Sequence, residues 1–180
     1  PILLMGNGHL PRNLPMNHLP FRQDSTFLYF TGITLVNAAV LMLNNQQILF
    51  LEEKNEGDEL WHGPTPSIQE IAKSYGFSSV EPYQNLLQIC QDINAPIHSL
   101  AVSDPNKNRL IAAITNTTIS FGNINGSSQL IEAVIVMRRR LQAEEIQEIR
   151  DTALVTNNAH VAAMRETRIG GHEKDISFVF

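Results

Sequence analysis

The chain has 180 residues, of which 43% are hydrophobic and 17% are charged, and its formal net charge is −5 at pH 7. This balance is typical of a soluble globular protein with room for one well-developed core, and it excludes collagen-like and intrinsically disordered classes. The acidic excess argues against a nucleic-acid partner, because phosphate binding needs an excess of Lys and Arg.

The single cysteine, Cys90, lies in an apolar run and has no partner for an intramolecular disulfide. This is typical of a buried thiol in a reducing compartment, and we expect a cytoplasmic protein. No apolar run approaches the roughly 18–20 residues that span a bilayer, so we expect no membrane association. The sequence begins at Pro1 and ends at Phe180 inside apolar, strand-like runs, and we therefore expect a segment of a longer protein.

The first predicted element is a buried strand over Pro1–Met5, closed by a turn at Gly6-Asn7-Gly8. Residues 9–20 hold three prolines and show no periodicity. They predict an extended loop, which is the kind of segment that commonly lies over a functional site.

The stretch Phe21–Gly32 combines a hydrogen-bonding head with an aromatic run. The head is Arg22-Gln23-Asp24, and the run Phe27–Phe30 is aromatic or large and apolar throughout. Such residues suit a pleated, buried surface, so we predict a strand that ends at Gly32.

The most secure local feature is a hairpin. Two apolar strands, Asn37–Leu43 and Gln47–Leu51, flank Asn44-Asn45-Gln46, and asparagine tolerates the left-handed backbone angles of tight turns. An acidic surface loop over Glu52–Leu60 follows and leads to Trp61-His62, where Trp61 is the only tryptophan.

Capping signals and periodicity predict that strands and helices alternate as far as residue 126. The first predicted helix is capped by Thr65 or Ser67, with a capping box between Ser67 and Glu70, and two more start at Tyr83 and at Asp104-Pro105. The predicted strands are a short piece from Val80, Ile97–Val102 and Thr117–Phe121, with a turn over Gly122–Gly126. This alternation predicts an α/β domain with a mixed sheet flanked by helices.

The C-terminal part is helical. An amphipathic helix over Leu130–Met137 precedes a basic joint at Arg138–Gln142, and a long helix over Ala143–Arg168 ends at Gly170-Gly171. The long helix carries an apolar stripe of mostly small residues, which requires a partner surface to cover it.

Two stretches resemble the aminopeptidase P, prolidase and creatinase family. Pro20–Gly32 resembles the arginine-glutamine motif of its N-terminal domain, and Met137–Ile146 resembles the joint that opens the catalytic pita-bread domain, with Leu141-Gln142 in place of a Lys-Ser pair. His160 and Met164 also match. The resemblance implies a creatinase/prolidase-like N-terminal domain with a ribonuclease H-like motif over 1–137. Residues 138–180 would then be the joint and first helix of a truncated catalytic domain.

The resemblance is closest to aminopeptidase P and implies a metallopeptidase that removes the N-terminal residue from peptides with proline second. Its two divalent metal ions, manganese by analogy, would be held by two aspartates, a histidine and two glutamates beyond Phe180. We therefore expect an inactive fragment without metal. The alternatives are a proline dipeptidase, a creatinase, or a peptide- or protein-binding module of a metal-free relative.

The residues themselves show no catalytic or metal-binding pattern. His172-Glu173 lacks the second histidine of a zinc helix and is better explained as a helix start. Family analogy instead nominates Trp61, His62, Arg22 and Asn17 for the substrate cleft or for contacts within a homo-oligomer, although aminopeptidase P places an aspartate about where Asn17 stands. A structural alternative makes Arg22, Gln23 and Asp24 a clamp on the preceding loop.

Overall fold

The computed structural model describes residues 1–53, 57–119, 122 and 127–180. The chain divides into two compact units, Pro1–Ala133 and Val134–Phe180. The division lies close to the predicted domain boundary at residue 137, although the boundary itself stays a prediction.

A five-stranded mixed sheet forms the centre of the first unit, in the order β4-β3-β2-β1-β5. Strand β1 pairs antiparallel with β2 and parallel with β5, whereas β3 pairs antiparallel with β2 and parallel with β4. The strands are β1 (Ile2–Met5), β2 (Ala39–Leu43), β3 (Gln46–Leu51), β4 (Ser79–Pro82) and β5 (His98–Ser99).

Helices cover both faces of this sheet. Because side chains alternate along a strand, Leu3 and Met5 of β1 pack on one face and Leu4 packs on the other. Helices α4 (Leu86–Gln91) and α5 (Pro105–Thr115) contribute to the first cluster; α1 (Ser25–Thr31) and α3 (Ile68–Ser74) contribute to the second. The predicted mixed α/β architecture is confirmed.

The β2–β3 hairpin turns on two asparagines. Asn44 and Asn45 have φ angles of 48° and 66°, so both adopt the left-handed conformation that a two-residue type I′ turn requires. The capping box on α3 is also present, because the Ser67 side chain accepts from the Glu70 amide while the Glu70 carboxylate accepts from the Ser67 amide.

The predicted aromatic strand after Arg22 is wrong, since Ser25–Thr31 is helix α1. Asp24 caps this helix with Oδ1, which accepts hydrogen bonds of 2.9 Å from the amides of Thr26 and Phe27. Gly32, with a φ of 68°, ends it. The two caps override the β preference of the aromatic residues. Phe27 is buried, whereas the next two side chains are about 40% exposed, as expected for one face of a helix.

Other elements differ from the prediction in extent. The predicted helix at Tyr83 begins as a 3₁₀ turn over Tyr83–Asn85 before α4, and the acidic loop contains a short helix, α2 (Asp58–His62). Strand β5 is shorter than predicted because both backbone groups of Val102 bond to the Asn108 side chain of α5.

The predicted strand over Thr117–Phe121 is not formed at residues 117–119, and its last two residues lie outside the described part of the chain. The predicted turn over Gly122–Gly126 also lies outside it, except for Gly122.

The second unit is helical. It contains the end of α6 (Ser128–Arg138), followed by α7 (Ala143–Glu166) and α8 (Glu173–Val179), which pack together. Apolar side chains of α7 remain exposed, including Ile149 at 54% and Val155 at 69%. Within the described residues, no helix combines the length and hydropathy that crossing a bilayer requires.

Candidate functional site

Gln23, from the predicted clamp, is the most buried residue of the hydrogen-bonding head, with 7% of its surface exposed. Its Oε1 accepts from the amides of Asn7 at 2.7 Å and Asp24 at 2.9 Å. Its Nε2 donates to the carbonyl oxygen of Leu35 at 2.8 Å. The side chain thus joins the end of β1, the start of α1 and the loop before β2.

Asn7 lies at the carboxyl end of β1 and binds three further segments. Its Nδ2 donates to the Arg22 carbonyl and to Ser103 Oγ, both at 3.0 Å, and its carbonyl accepts from the Asn37 amide. Asn7 Oδ1 is fully buried and has no hydrogen-bond partner within the described residues. A buried acceptor of this kind is the usual place for an ordered water.

Asp104 completes this buried cluster from the start of α5. Its Oδ2 accepts from the Gly8 amide at 3.1 Å, while its Oδ1 caps the helix by accepting from the Asn106 amide at 2.8 Å. Gly8 has no room for a side chain, since a Cβ there would lie 2.6 Å from Asn37 Oδ1 and 3.0 Å from Asp104 Oδ2. We call Asn7, Gly8, Gln23, Ser103 and Asp104 the Asn7 cluster.

Beside this cluster, the side chains of Lys107 and Tyr83 contact each other. Both side chains are ionisable, and Lys107 is buried whereas Tyr83 is half-buried. Lys107 Nζ donates to the Tyr83 hydroxyl at 2.9 Å and lies 4.3 Å from the centre of the ring. Burial lowers the pKa of Lys107, against the opposing effect of Asp104 and Glu52. Burial, followed by the same two carboxylates, raises the pKa of Tyr83. The Tyr83 phenol is therefore neutral at neutral pH.

The predicted loop over 9–20 folds back on itself. The Arg12 amide donates to the Asn17 carbonyl at 2.7 Å and the Leu19 amide donates to the Leu10 carbonyl at 2.9 Å. The rings of His9 and His18 stack with centroids 4.3 Å apart. We call residues 9–20 the ribbon.

Two of the nominated site residues are exposed on or next to the ribbon. Asn17 lies near its tip, where its Nδ2 donates to Asn13 Oδ1 at 2.7 Å. Arg22 follows the ribbon, and its carbonyl is held by Asn7. Its guanidinium has no hydrogen-bond or ion-pair partner among the described residues. Of the predicted clamp, only Gln23 binds other segments through its side chain, whereas the Asp24 side chain caps α1.

Trp61 lies on α2 and is 81% exposed, next to Leu60 at 83%. The side chain of His62 lies outside what the structure describes. An open groove of about 590 Å³ adjoins the loop that carries α2, and its lining includes Glu52, Glu53 and Glu59. Leu60 and Trp61 thus form an exposed apolar pair on α2.

No group of three His, Cys, Asp or Glu side chains within the described residues could hold a metal ion. Cys90 is buried in the core, and burial raises the pKa of its thiol to about 11. A neutral thiol is a poor nucleophile, so this cysteine is a packing residue. The chemistry that these residues support is binding and positioning.

No site role was predicted for six residues of this arrangement: Asn7, Gly8, Tyr83, Ser103, Asp104 and Lys107. Asn7 stands between two glycines directly after a buried strand, which is a signal of close backbone packing. Lys107 lies four residues before the buried Ile111 on α5. The helical period therefore places it on the apolar face of that helix. No local pattern singles out Tyr83.

Solved structures with this fold come from aminopeptidase P. Two are the low-pH form of the Escherichia coli enzyme and its zinc-substituted form in complex with product. Each matches with a TM-score of 0.77 and 20% identity, over 99% of this chain and 43% of theirs. The first unit is therefore an α/β domain of the aminopeptidase P type.

The sequence agrees with this class. The Xaa-Pro aminopeptidase of Haemophilus influenzae is 27% identical over 167 residues, which are 87% of this chain and 37% of that protein. The Xaa-Pro aminopeptidase of E. coli is 26% identical over 171 residues, or 86% of this chain and 38% of the enzyme. The family model described as "Aminopeptidase P, N-terminal domain" matches residues 2–100.

The chain belongs to the aminopeptidase P N-terminal domain family, which confirms the resemblance inferred from Pro20–Gly32. It spans less than two fifths of the length of these curated relatives.

Proposed function

We propose that the whole protein is a metal-dependent Xaa-Pro aminopeptidase and that this domain shapes its active-site cleft and its homo-oligomer. The relatives named above are Xaa-Pro aminopeptidases, and a zinc-substituted form of one of them is known with product. Two divalent metal ions, manganese by analogy, would supply Lewis-acid chemistry from ligands C-terminal to Phe180. The 180-residue chain alone would then be inactive.

The proposed role of the domain rests on the exposure of helix α2. Trp61 and Leu60 each expose more than four fifths of their surface. Apolar groups of this size are stabilised by removal from water at about 25 cal/mol per Å². We assign Trp61 and His62 to a contact with substrate or a neighbouring subunit, and we assign Arg22 and Asn17 to the same cleft.

The experiment is a peptidase assay on the full-length protein loaded with Mn²⁺, using Xaa-Pro-peptides, Xaa-Pro dipeptides and creatine. We expect release of the N-terminal residue from the longer peptides. Cleavage of the dipeptides alone would make the protein a proline dipeptidase, and turnover of creatine alone would make it a creatinase. Peptide binding without hydrolysis would support a binding module.

The role of α2 is tested by Trp61→Ala, with Ile169→Ala as a matched control because Ile169 is also fully exposed and lies in the other unit. We expect Trp61→Ala to lower kcat/KM or to shift the oligomer in sedimentation, and the control to do neither. Trp61 is the only tryptophan of the 180-residue chain, so a blue shift of the emission when this chain self-associates reports the burial of Trp61 directly. Unchanged kinetics, assembly and emission would contradict this assignment.

A further inference from the structure

Both ends of the ribbon are tied to the same buried residue. The ribbon leaves the sheet at Gly8, directly after Asn7, and returns at Arg22-Gln23. The Asn7 amide donates to Gln23 Oε1 at 2.7 Å, and Asn7 Nδ2 donates to the Arg22 carbonyl at 3.0 Å. Asn7 is only 5% exposed, so these bonds do not compete with solvent. The backbone amide and the side chain of Asn7 together therefore fix the distance between the two ends of the ribbon.

Asp104 ties this junction to a rigid element. It is 3% exposed, and its Oδ2 accepts from the Gly8 amide while its other oxygen caps α5. Lys107 on the same helix lies near this carboxylate. Lys107 Cε and Asp104 Oδ2 both occupy space that a side chain at Gly8 would need. The N-terminal end of the ribbon is therefore bound to the start of α5 as well as to the sheet.

We propose that Asn7 and Asp104 are positioning residues that set the place of the ribbon, and with it Asn17 and Arg22, relative to the body of the domain. A two-stranded ribbon is marginal by itself, and residues 11–20 are all exposed. The ribbon keeps one geometry because its two ends are held at one buried junction. As far as Asn17 and Arg22 contact substrate, this inference rests on the proposed function.

The test is Asp104→Ser in the 180-residue chain, with hydrogen exchange measured at the amides of Gly8, Arg12 and Leu19. Serine is as good an N-cap as aspartate, so α5 keeps its start, but the shorter side chain loses the bond to Gly8. We expect exchange in the ribbon to become at least about tenfold faster. Asp104→Thr, which also caps helices and is equally short, is the second variant should the first fail to fold.

The matched control is Ser67→Ala. Ser67 caps α3 and makes no contact with the Asn7 cluster, so its removal lowers helix stability without releasing the ribbon. We expect ribbon exchange in this variant to equal that of the wild type. Exchange within about twofold of the wild type in a folded Asp104 variant would overturn the proposal.

In the full-length protein, we expect Asp104→Ser to raise KM for Xaa-Pro-peptides by about fivefold or more while kcat stays within about twofold, because substrate placement and not the chemical step is disturbed. A purely structural effect would instead lower the amount of active enzyme and leave KM unchanged. Faster ribbon exchange with an unchanged KM would overturn the link to substrate. A wild-type protein without peptidase activity would refute the proposed function, and the exchange measurements would then decide the positioning role alone.

Discussion

Replacing Gln23 by leucine removes the side chain that links three segments around the end of β1. Leucine has a similar volume, so the main loss is polar: the Asn7 amide and the Leu35 carbonyl lose their partners at 2.7 and 2.8 Å. Leaving a buried polar group unpaired costs about 1–3 kcal/mol. Because the Asp24 amide loses a partner as well, we expect a decrease of about 3–5 kcal/mol in the free energy of unfolding. This is a large part of the roughly 5–15 kcal/mol of an ordinary domain.

Urea unfolding of the 180-residue chain measures this decrease. We expect the midpoint to fall at an unchanged m-value, since the surface exposed on unfolding is nearly the same. Gln69→Leu is the control, because Gln69 is exposed on α3 and a surface change there is worth less than about 0.5 kcal/mol. A Gln23→Leu variant as stable as this control would refute the role given to these hydrogen bonds.

Gln23→Glu separates the role of the amide oxygen from that of the amide nitrogen in the same side chain. A carboxylate still accepts from the Asn7 amide, but its second oxygen faces the Leu35 carbonyl, which is also an acceptor. At neutral pH we therefore expect a loss at least as large as for leucine, because the carboxylate is a buried charge that faces a carbonyl oxygen. It should diminish in acid, where a protonated carboxyl can donate to that carbonyl.

Two further predictions concern the core and the hairpin. Burial raises the pKa of the Cys90 thiol to about 11, whereas the pKa of a cysteine in an unfolded chain is about 8.5. The buried neutral thiol therefore contributes fully to stability at neutral pH. This contribution is lost as the pH rises above about 8.5, because the thiol then ionises in the unfolded chain first. Cys90→Ala should show a flatter dependence of the unfolding midpoint between pH 8 and 11, and equal slopes for both proteins would contradict the buried thiol. In the hairpin, Asn45 has a φ of 66°, so Asn45→Gly should be neutral or slightly stabilising, whereas Asn45→Val should cost about 1–2 kcal/mol in thermal unfolding. Equal stabilities of these two variants would refute the type I′ assignment.

Local signals were sufficient for much of the fold. The asparagine pair of the β2–β3 turn and the Ser67–Glu70 capping box act within a few residues, and the structure contains them where they were predicted. The exception is α1, where the aromatic run was given more weight than Asp24 and Gly32. Both caps were visible in the sequence, and they decide the conformation because they satisfy the ends of a helix that the aromatic residues alone would not specify.

The candidate site was less predictable because its contacts are not local. Gln23 was singled out, but its partners Asn7 and Leu35 lie 16 and 12 residues away, and Asp104 lies 96 residues from Gly8. Lys107 was assigned to no role, since a lysine on an amphipathic helix is usually solvated. Here the Tyr83 ring and hydroxyl make its burial possible. The substrate and oligomer contacts of Trp61, His62, Arg22 and Asn17 remain predictions.

The parallel pairing of β1 with β5 has a consequence for the order of folding. Ile2 pairs with His98 and Leu3 with Ser99. During synthesis, β1 therefore gains its neighbour β5 only after nearly a hundred further residues have left the ribosome. The β2–β3 hairpin can close within microseconds, whereas the loop between β1 and β5 must be closed at a far greater entropic cost. Until β5 has been synthesised, one edge of β1 is unpaired. In a chain whose synthesis stops before residue 98, that edge is exposed to other chains.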